Sequence, residues 1–199
     1  MKIGLSSLYL TTESFKKLVE DLNSYGESCK VWEIVDEAVL RLNRRKVEVL
    51  KELQKSFSFE YSLHTPFCDI NIASINPQIR RLTLKILEKS ILNAAKLEAK
   101  MCVLHPGFYD VFHLKKTTKL NLQSIERLVN YAENLGVPVS IENLPANLPT
   151  LTKVEDFETL FKQLNQIDLK LALDVGHAHT VGQLKTFPVS YTHLTLPTN

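Results

Sequence analysis

The segment ALDVGHAH, residues 172–179, is an apolar run that turns within eight residues into an acid, a glycine and two histidines. The run before it has the Leu-rich composition of a buried β-strand. An ionised carboxylate beside such a strand costs several kcal/mol unless another group pairs with it. Asp174 therefore needs a partner, and the rest of the sequence indicates what that partner is.

Segments with similar composition recur along the chain, and each is followed by a helical pattern. In chain order they are KIGLSS, KVWEIV, FEYSLH, KMCVLH, VPVSIEN and LKLALDV. Short strands that alternate with amphipathic helices indicate repeated βαβ units and a parallel sheet. The chain is therefore assigned to the α/β class. Its 199 residues contain no linker-like stretch, which favours one domain.

Apolar residues at helical spacing fill the segments between these runs. The third helix is the longest, and its predicted buried face comprises Ile79, Leu82, Ile86, Ala94 and Leu97. Gly136 suits the C-terminal cap of the fourth helix. Thr152 with Glu155 predicts a capping box at the start of the fifth.

Polar residues of a particular kind stand where the predicted strands end. His64 closes the third strand, His105 the fourth and Glu142 the fifth, while Asp174 and His177 follow the sixth. The carboxyl ends of strands converge on one mouth in an eight-stranded (β/α)8 barrel, whereas a doubly wound open sheet spreads them along an edge. This placement favours the TIM barrel, here as a partial barrel of about six β/α units.

The first turn after a strand, LSSLYLTTES, contains no glycine-rich phosphate loop, so nucleotide-binding folds are disfavoured. The chain carries 24 Lys and Arg against 22 Asp and Glu, and this balance provides no general field for polyanions. No apolar run approaches a membrane span, and the first residues do not resemble a signal peptide. Cys29, Cys68 and Cys102 lack metal-type spacing, and reduced thiols indicate a cytoplasmic protein.

The histidines and carboxylates at the strand ends suggest a metal site. Neutral imidazoles and carboxylate oxygens, without cysteine, suit Zn, Mn or Co as the divalent ion. Such an ion would also offset the cost of burying Asp174. His64, His105, Glu142, Asp174 and His177 are the predicted ligands. Glu142 has a further predicted role as the catalytic base, because its second oxygen can handle a proton.

Each of these residues also has a simpler structural explanation. A single histidine at a strand end is often only hydrogen-bonded, and Asp174 could merely cap the following helix. Glu33 ends the second strand and is a candidate for substrate contact, but the same residues also suit a solvated turn. His113 and His179 lack a matching strand-end position and are interpreted as surface or supporting residues. Four successive strands that all end in a ligand type favour the metal site.

Together these motifs resemble the xylose isomerase-like TIM-barrel superfamily. They are LHTPFCDINIAS with His64, VLHPG with His105, IENLP with Glu142, and LDVGHAHTVG with Asp174 and His177. The superfamily includes sugar phosphate isomerases and epimerases together with AP endonuclease family 2, the endonuclease IV-like enzymes. The resemblance covers residues 1 to about 188 and does not distinguish these branches.

The resemblance implies different roles in the two branches. In isomerases and epimerases, the residues matching Glu142 and Asp174 bind Mn, Co or Zn, and the residue matching His177 contacts substrate. Asn143, in the same motif as Glu142, is a further predicted substrate contact. In the endonuclease branch, His64, His105 and Glu142 would hold one zinc ion. Glu142 and Asp174 would reach a second, and His177 would help to bind a third.

The leading hypothesis is a divalent-metal-dependent isomerase or epimerase that acts on a sugar or sugar phosphate. The alternative is a zinc-dependent AP endonuclease, for which DNA would be the partner. Both branches need further ligands from strands seven and eight, which this sequence does not supply. A barrel domain over residues 1–188 is therefore predicted to be incomplete and inactive as it stands. Residues 189–199, within PVSYTHLTLPTN, resemble a translated sequencing adapter, so His193 is predicted to have no function.

Overall fold

The computed structural model describes residues 2–187. The predicted adapter-derived tail, residues 189–199, lies outside the described residues and stays a prediction. Six strands are present: β1 (Leu5–Ser6), β2 (Val31–Val35), β3 (Glu60–His64), β4 (Cys102–Leu104), β5 (Val139–Glu142) and β6 (Leu169–Ala172). The helices are α1 (Phe15–Tyr25), α2 (Arg44–Phe57), α3 (Pro77–Lys96), α4 (Leu114–Glu133), α5 (Val154–Gln163) and α6 (Val175–Thr180). Two short 3₁₀ turns, Ser7–Leu10 and Ala38–Leu40, follow the first two strands.

All six strands belong to one parallel sheet, and they pair in the order of the chain. A sheet that grows by one parallel strand per helical crossover is the building pattern of a (β/α)8 barrel. Among residues 2–187, β1 pairs only with β2 and β6 only with β5. The predicted partial barrel of six β/α units is confirmed.

The two faces of the sheet differ sharply in polarity. Side chains alternate along a strand, so the register determines which residues share a face. Ser6 lies beside Glu33, Glu33 beside Ser62, and Val35 beside His64, and these positions form the inner face. The outer face is apolar and buried beneath the helices; it includes Trp32, Ile34, Tyr61, Leu63, Cys102, Leu104, Val139 and Ile141. Polar groups are thereby concentrated inside the barrel.

The predicted buried face of α3 is partly wrong. Ile79 is 47% exposed and Leu82 is 61% exposed, whereas Leu84, Leu87 and Ile91 are buried. The same apolar spacing fits two neighbouring faces of a long helix, and contact with the sheet and with α4 decides between them. Ala94 and Leu97, at the end of the helix, are buried as predicted.

The capping interactions of the following helices also differ in detail from expectation. The side chain of Asp156 accepts hydrogen bonds from the backbone N–H groups of Thr152 and Lys153, at 3.0 and 2.9 Å. The capping carboxylate of α5 is therefore Asp156 and not the predicted Glu155, because the helix begins at Val154. Gly136, three residues after the end of α4, has a φ of 70°, and its N–H group donates to the carbonyl oxygen of Glu133 at 3.0 Å, which confirms its predicted role in the C-terminal cap.

Buried polar contacts fix the loops at the carboxyl ends of the strands. Asp36, which follows β2, accepts hydrogen bonds from Leu42 N–H and from the Ser90 hydroxyl, both at 2.6 Å. Gly107 lies so close to another loop that a Cβ there would be 2.5 Å from the backbone nitrogen of Ala73. The loop after β4 therefore packs directly against the loop after β3. No helix within residues 2–187 is long and apolar enough to cross a membrane.

Candidate active site

The predicted site residues converge at the carboxyl ends of the strands. His64 and Glu142 are the last residues of β3 and β5, and His105 directly follows β4. Asp174 lies two residues past β6, and His177 lies in the first turn of α6. All of them line one cleft of about 210 Å³, together with Leu8, Glu33, Val35 and Phe67. The structure thus brings together residues that are up to 113 positions apart in the sequence, from His64 to His177.

Glu142 stands at the centre of this cluster. Its Oε2 atom lies 3.1 Å from Nε2 of His64 and 3.2 Å from Nε2 of His105. The two imidazole rings meet nearly edge to face, with centroids 4.9 Å apart. Its other oxygen, Oε1, lies 3.6 Å from Nδ1 of His177. A single buried carboxylate therefore contacts two histidines at hydrogen-bond distance and lies close to a third.

The second ring nitrogen of His64 indicates where its proton resides. Nδ1 lies 2.8 Å from the backbone carbonyl oxygen of Thr65, which can only accept a hydrogen bond. Nδ1 must therefore carry a hydrogen. A neutral His64 would then direct the lone pair of Nε2 at the carboxylate of Glu142, so a cation is required between these atoms. Either a second proton on His64 or a metal ion satisfies this requirement.

Asp174 and His177 are held by the turn that joins β6 to α6. Oδ1 of Asp174 accepts a hydrogen bond from His177 N–H at 2.7 Å. Asp174 therefore caps α6, which was the alternative role predicted for it. Nδ1 of His177 donates to the carbonyl oxygen of Asn143 at 2.8 Å. Oδ2 of Asp174 lies 3.8 Å from the same Nδ1 atom. Capping thus uses one oxygen of Asp174 and leaves the other near the cluster.

Asn143 is fully buried next to Glu142, and its side chain contacts the backbone of Asp174. The amide oxygen accepts from Asp174 N–H at 2.7 Å, and the amide nitrogen donates to Asp174 C=O at 3.0 Å. These bonds tie the end of β5 to the turn after β6. In this geometry Asn143 positions Asp174, and the predicted contact of Asn143 with substrate stays a prediction.

The charges of the cluster are set by opposing effects. Burial raises the pKa of Glu142, but hydrogen bonds from His105 and His64 outweigh it and hold the pKa well below its usual range. Burial lowers the pKa of His64, yet the hydrogen bond and charge of Glu142 raise it above its ordinary value. For His105 burial dominates, and its pKa is lowered. These opposing shifts favour an ionised Glu142 and a protonated His64.

The donor atoms fit a divalent metal. Two groups have donor atoms that all lie within 4.8 Å of one another: His64, His105 and Glu142 form one, and Glu142, Asp174 and His177 form the other. Ligands on a tetrahedral zinc ion with bonds of about 2.0–2.1 Å are about 3.3 Å apart. The separations of 3.1 and 3.2 Å from Glu142 to the two imidazoles match that spacing. Both groups share Glu142, so one carboxylate could serve two ions.

The remaining histidines and Glu33 lie where the sequence predicted, and one further cleft residue was not predicted. Glu33 lines the cleft and accepts a hydrogen bond from the Ser6 hydroxyl at 2.5 Å. His113 is exposed and pairs with Asp110 at 2.9 Å, and His179 is exposed, in agreement with their interpretation as surface residues. Phe67 also lines the cleft and was not predicted, although it lies only three residues after His64 in the same motif.

The fold and the site together define a TIM-barrel protein with a histidine and carboxylate cluster at the carboxyl ends of its strands. The family model for the xylose isomerase-like TIM barrel matches residues 19–193. The chain belongs to this family, as the motifs predicted.

Curated relatives cover most of the chain. The uncharacterized protein MJ1614 of Methanocaldococcus jannaschii is 33% identical over 190 residues, which are 94% of this chain and 72% of that protein. MJ1311 of the same organism is 29% identical over 191 residues. This chain spans 64% of the length of MJ1311. A probable endonuclease 4 of Mycoplasma mycoides is 24% identical over 154 residues, 73% of this chain and 52% of that protein.

Solved structures with the same fold include sugar epimerases. A D-tagatose 3-epimerase-like protein superposes with a TM-score of 0.86 and 28% identity, covering 97% of this chain and 72% of that one. A D-psicose 3-epimerase has a TM-score of 0.74 and 16% identity, with 92% and 70% coverage, a likeness of fold alone. The coarse assignment to a family of sugar isomerases and epimerases agrees with these neighbours.

Proposed function

We propose that the full-length protein is a divalent-metal-dependent isomerase or epimerase that acts on a sugar or sugar phosphate. The observation that carries this proposal is the sharing of Glu142 between two groups of donor atoms inside one cleft. The likeness to a D-tagatose 3-epimerase-like protein supports the choice of sugar chemistry. Isomerases and epimerases move a proton at a carbon next to a carbonyl, and a carboxylate in a cleft is suited to that task.

The residues of the cluster would divide the work. Glu142, Asp174 and His177 would hold one divalent ion. His64 and His105 belong to the second group of donor atoms and would contact the other side of Glu142. When bound, a divalent ion polarises a carbonyl or hydroxyl oxygen of the substrate. One oxygen of Glu142 would bind the ion, and its other oxygen is the atom proposed to exchange a proton with the substrate carbon.

The polarity of the cleft bears on the substrate. Its lining residues within the described part of the chain include three histidines, three carboxylates and the apolar Leu8, Val35 and Phe67, but neither lysine nor arginine. Phosphate groups are usually held by basic side chains or by a helix N-terminus. The described walls therefore offer polar partners for the hydroxyl groups of a sugar, and the phosphate of a sugar phosphate would be held by segments after strands seven and eight, the usual phosphate site of this fold.

An activity assay on the full-length protein tests the proposal. Purified protein loaded separately with Mn, Co or Zn would be incubated with D-tagatose or D-fructose, and the epimer formed would be measured by chromatography. We expect turnover that chelation abolishes and that Glu142→Gln reduces at least about 1,000-fold, since the base and a ligand are lost together. Turnover that survives both chelation and Glu142→Gln would overturn the proposal.

One observation favours a second candidate, a zinc-dependent AP endonuclease. His64 and His105 both approach the same oxygen of Glu142, the arrangement that the resemblance implies for a zinc ligand set. The 24% identity to a probable endonuclease 4 points in the same direction. A nicking assay on an abasic DNA duplex with zinc restored tests this candidate. Cleavage, together with about three zinc ions per chain, would favour it over the isomerase.

We also propose that residues 189–199, whose composition resembles a translated sequencing adapter, are not native sequence. The described six β/α units are proposed to be inactive by themselves, because the family needs ligands from further strands. We propose a cytoplasmic location from the three cysteines, which lack metal-type spacing in the sequence. An independent clone that carries the same tail would refute the adapter origin.

A further inference from the structure

A carboxylate just outside the cluster joins two loops of the barrel mouth. Oε2 of Glu37 accepts hydrogen bonds from the backbone N–H groups of Phe67 at 2.8 Å and Cys68 at 3.0 Å. Its Oε1 atom accepts from Ala38 N–H at 3.0 Å. Glu37 lies in the loop after β2, whereas Phe67 and Cys68 lie in the loop after β3. A single side chain therefore connects segments 30 residues apart.

The backbone around these contacts has unfavourable conformations. Ala38 has a φ of 46° and Asp69 a φ of 57°. Residues with a Cβ avoid this left-handed region, so such loops need an outside constraint. Glu37 supplies one, because it binds the N–H group of Ala38 itself and the two N–H groups that precede Asp69. Hydrogen bonds to an ionised acceptor are also stronger than those between neutral groups.

The residue fixed by these bonds is an aromatic wall of the candidate active site. The ring of Phe67 lies 5.0 Å from that of His105, tilted by 30°, and 5.3 Å edge-on from that of His64. Phe67 also lines the cleft. The position of this ring depends on the backbone at residues 67 and 68, which Glu37 holds.

We propose that Glu37 is a positioning residue that fixes Phe67 as the wall against which the apolar C–H face of a sugar packs. Aromatic side chains commonly provide the apolar part of small-molecule sites, and the polar groups opposite provide orientation. Here the polar groups are those of the Glu142 cluster. The identity of the substrate rests on the proposed function, whereas the link between Glu37 and Phe67 does not.

Amide hydrogen exchange in this chain tests the link directly. In Glu37→Ala we expect the amides of Phe67 and Cys68 to exchange about tenfold faster or more, since a hydrogen bond to a charged acceptor is lost. In Glu37→Gln the exchange rates of these two amides should lie between those of Glu37→Ala and the unsubstituted chain, because the glutamine side-chain oxygen still accepts a hydrogen bond. Glu48→Gln, an exposed change on α2, is the matched control and should leave both rates unchanged. Unchanged exchange in Glu37→Ala would overturn the proposal.

The effect on substrate is measured in the full-length protein with D-tagatose as the probe. We expect Glu37→Ala to raise KM about tenfold with kcat changed less than about twofold, because ground-state packing is lost. In a Phe67→Ala background the same change should alter KM less than about twofold, since coupled residues are not additive. A full effect of Glu37→Ala in that background would refute the positioning role. If the unsubstituted protein has no epimerase activity, the proposed function fails, and the exchange rates still decide the link.

Discussion

Replacement of Glu142 by glutamine should remove most of the stabilisation that a bound metal gives. Glu142 belongs to both groups of donor atoms, and its side chain is buried against His64 and His105. Glutamine keeps the shape and one oxygen, but it lacks the negative charge that attracts a divalent ion. Loss of a residue that hydrogen-bonds to a metal ligand weakens metal binding about 10–100-fold. Loss of the ligand itself should therefore weaken binding at least about 100-fold.

The size of the effect follows from binding linkage. At a free metal concentration of 100 times Kd, the unsubstituted protein gains about 2.7 kcal/mol of stability. For a domain of about 200 residues this corresponds to an increase in Tm of about 5–11 °C. After a 100-fold loss of affinity the same metal concentration equals Kd, and the gain falls to about 0.4 kcal/mol, or about 1–2 °C.

The measurement is thermal unfolding followed by circular dichroism, with and without Zn, Mn or Co, in the unsubstituted chain, Glu142→Gln and Glu48→Gln. Only the difference caused by metal is compared, because Glu142→Gln also changes the metal-free protein. Glu48, exposed on α2, serves as the control and should leave the metal effect intact. A metal-induced rise in Tm that is equally large in Glu142→Gln and in the unsubstituted chain would show that this carboxylate is not a ligand.

Three further changes should produce measurable effects on stability. Burial raises the pKa of Glu37, but bonds from backbone N–H groups lower it more, so the net shift is downward from 4.5. The stabilisation by ionised Glu37 is therefore complete above pH 4.5 and is lost as pH falls through the folded-state pKa. In urea unfolding, the free energies of unfolding of Glu37→Gln and of the unsubstituted chain should therefore become equal in acid. A difference between them that does not change with pH would contradict this expectation. Gly107→Ala should cost about 1–3 kcal/mol in urea unfolding, because the added Cβ meets Ala73 N at 2.5 Å, and an unchanged midpoint would contradict the close packing. Ser90→Ala should cost about 1–3 kcal/mol in the same assay by leaving an oxygen of buried Asp36 without its donor, and no loss would mean that this oxygen finds another.

The proximity of the predicted site residues could be foreseen from the sequence, because the order of strands determines which residues can meet. In a parallel barrel every strand ends at the same mouth, so His64, His105 and Glu142 had to lie near one another once the six strands were recognised. In the structure, His64 and His105 lie 3.1 and 3.2 Å from Oε2 of Glu142, as this rule requires. No side-chain detail was needed for this part.

Contacts between loops could not be predicted in the same way. The contact of Glu37 with Phe67 depends on the conformation of two loops, including the left-handed Ala38, and no periodic pattern encodes it. The face of α3 was misjudged at Leu82 for a related reason, since apolar spacing alone does not specify which neighbour the helix packs against. These features arise from tertiary packing.

The placement of the cluster constrains how a proton could be returned to a substrate. Every residue that approaches Glu142 comes from β3 to β6 or the segments directly after them, so these groups line one side of the barrel mouth. Epimerisation requires proton removal from one face of a carbon and return to the opposite face. If Glu142 serves one face, the second proton carrier must come from across the cleft. Glu33, on β2 near the unpaired edge of β1, is the described carboxylate on that side, and further strands of a full barrel would add their own groups between β6 and β1. The one-sided cluster thus predicts that the opposing acid is Glu33 or a group on a strand beyond the six described.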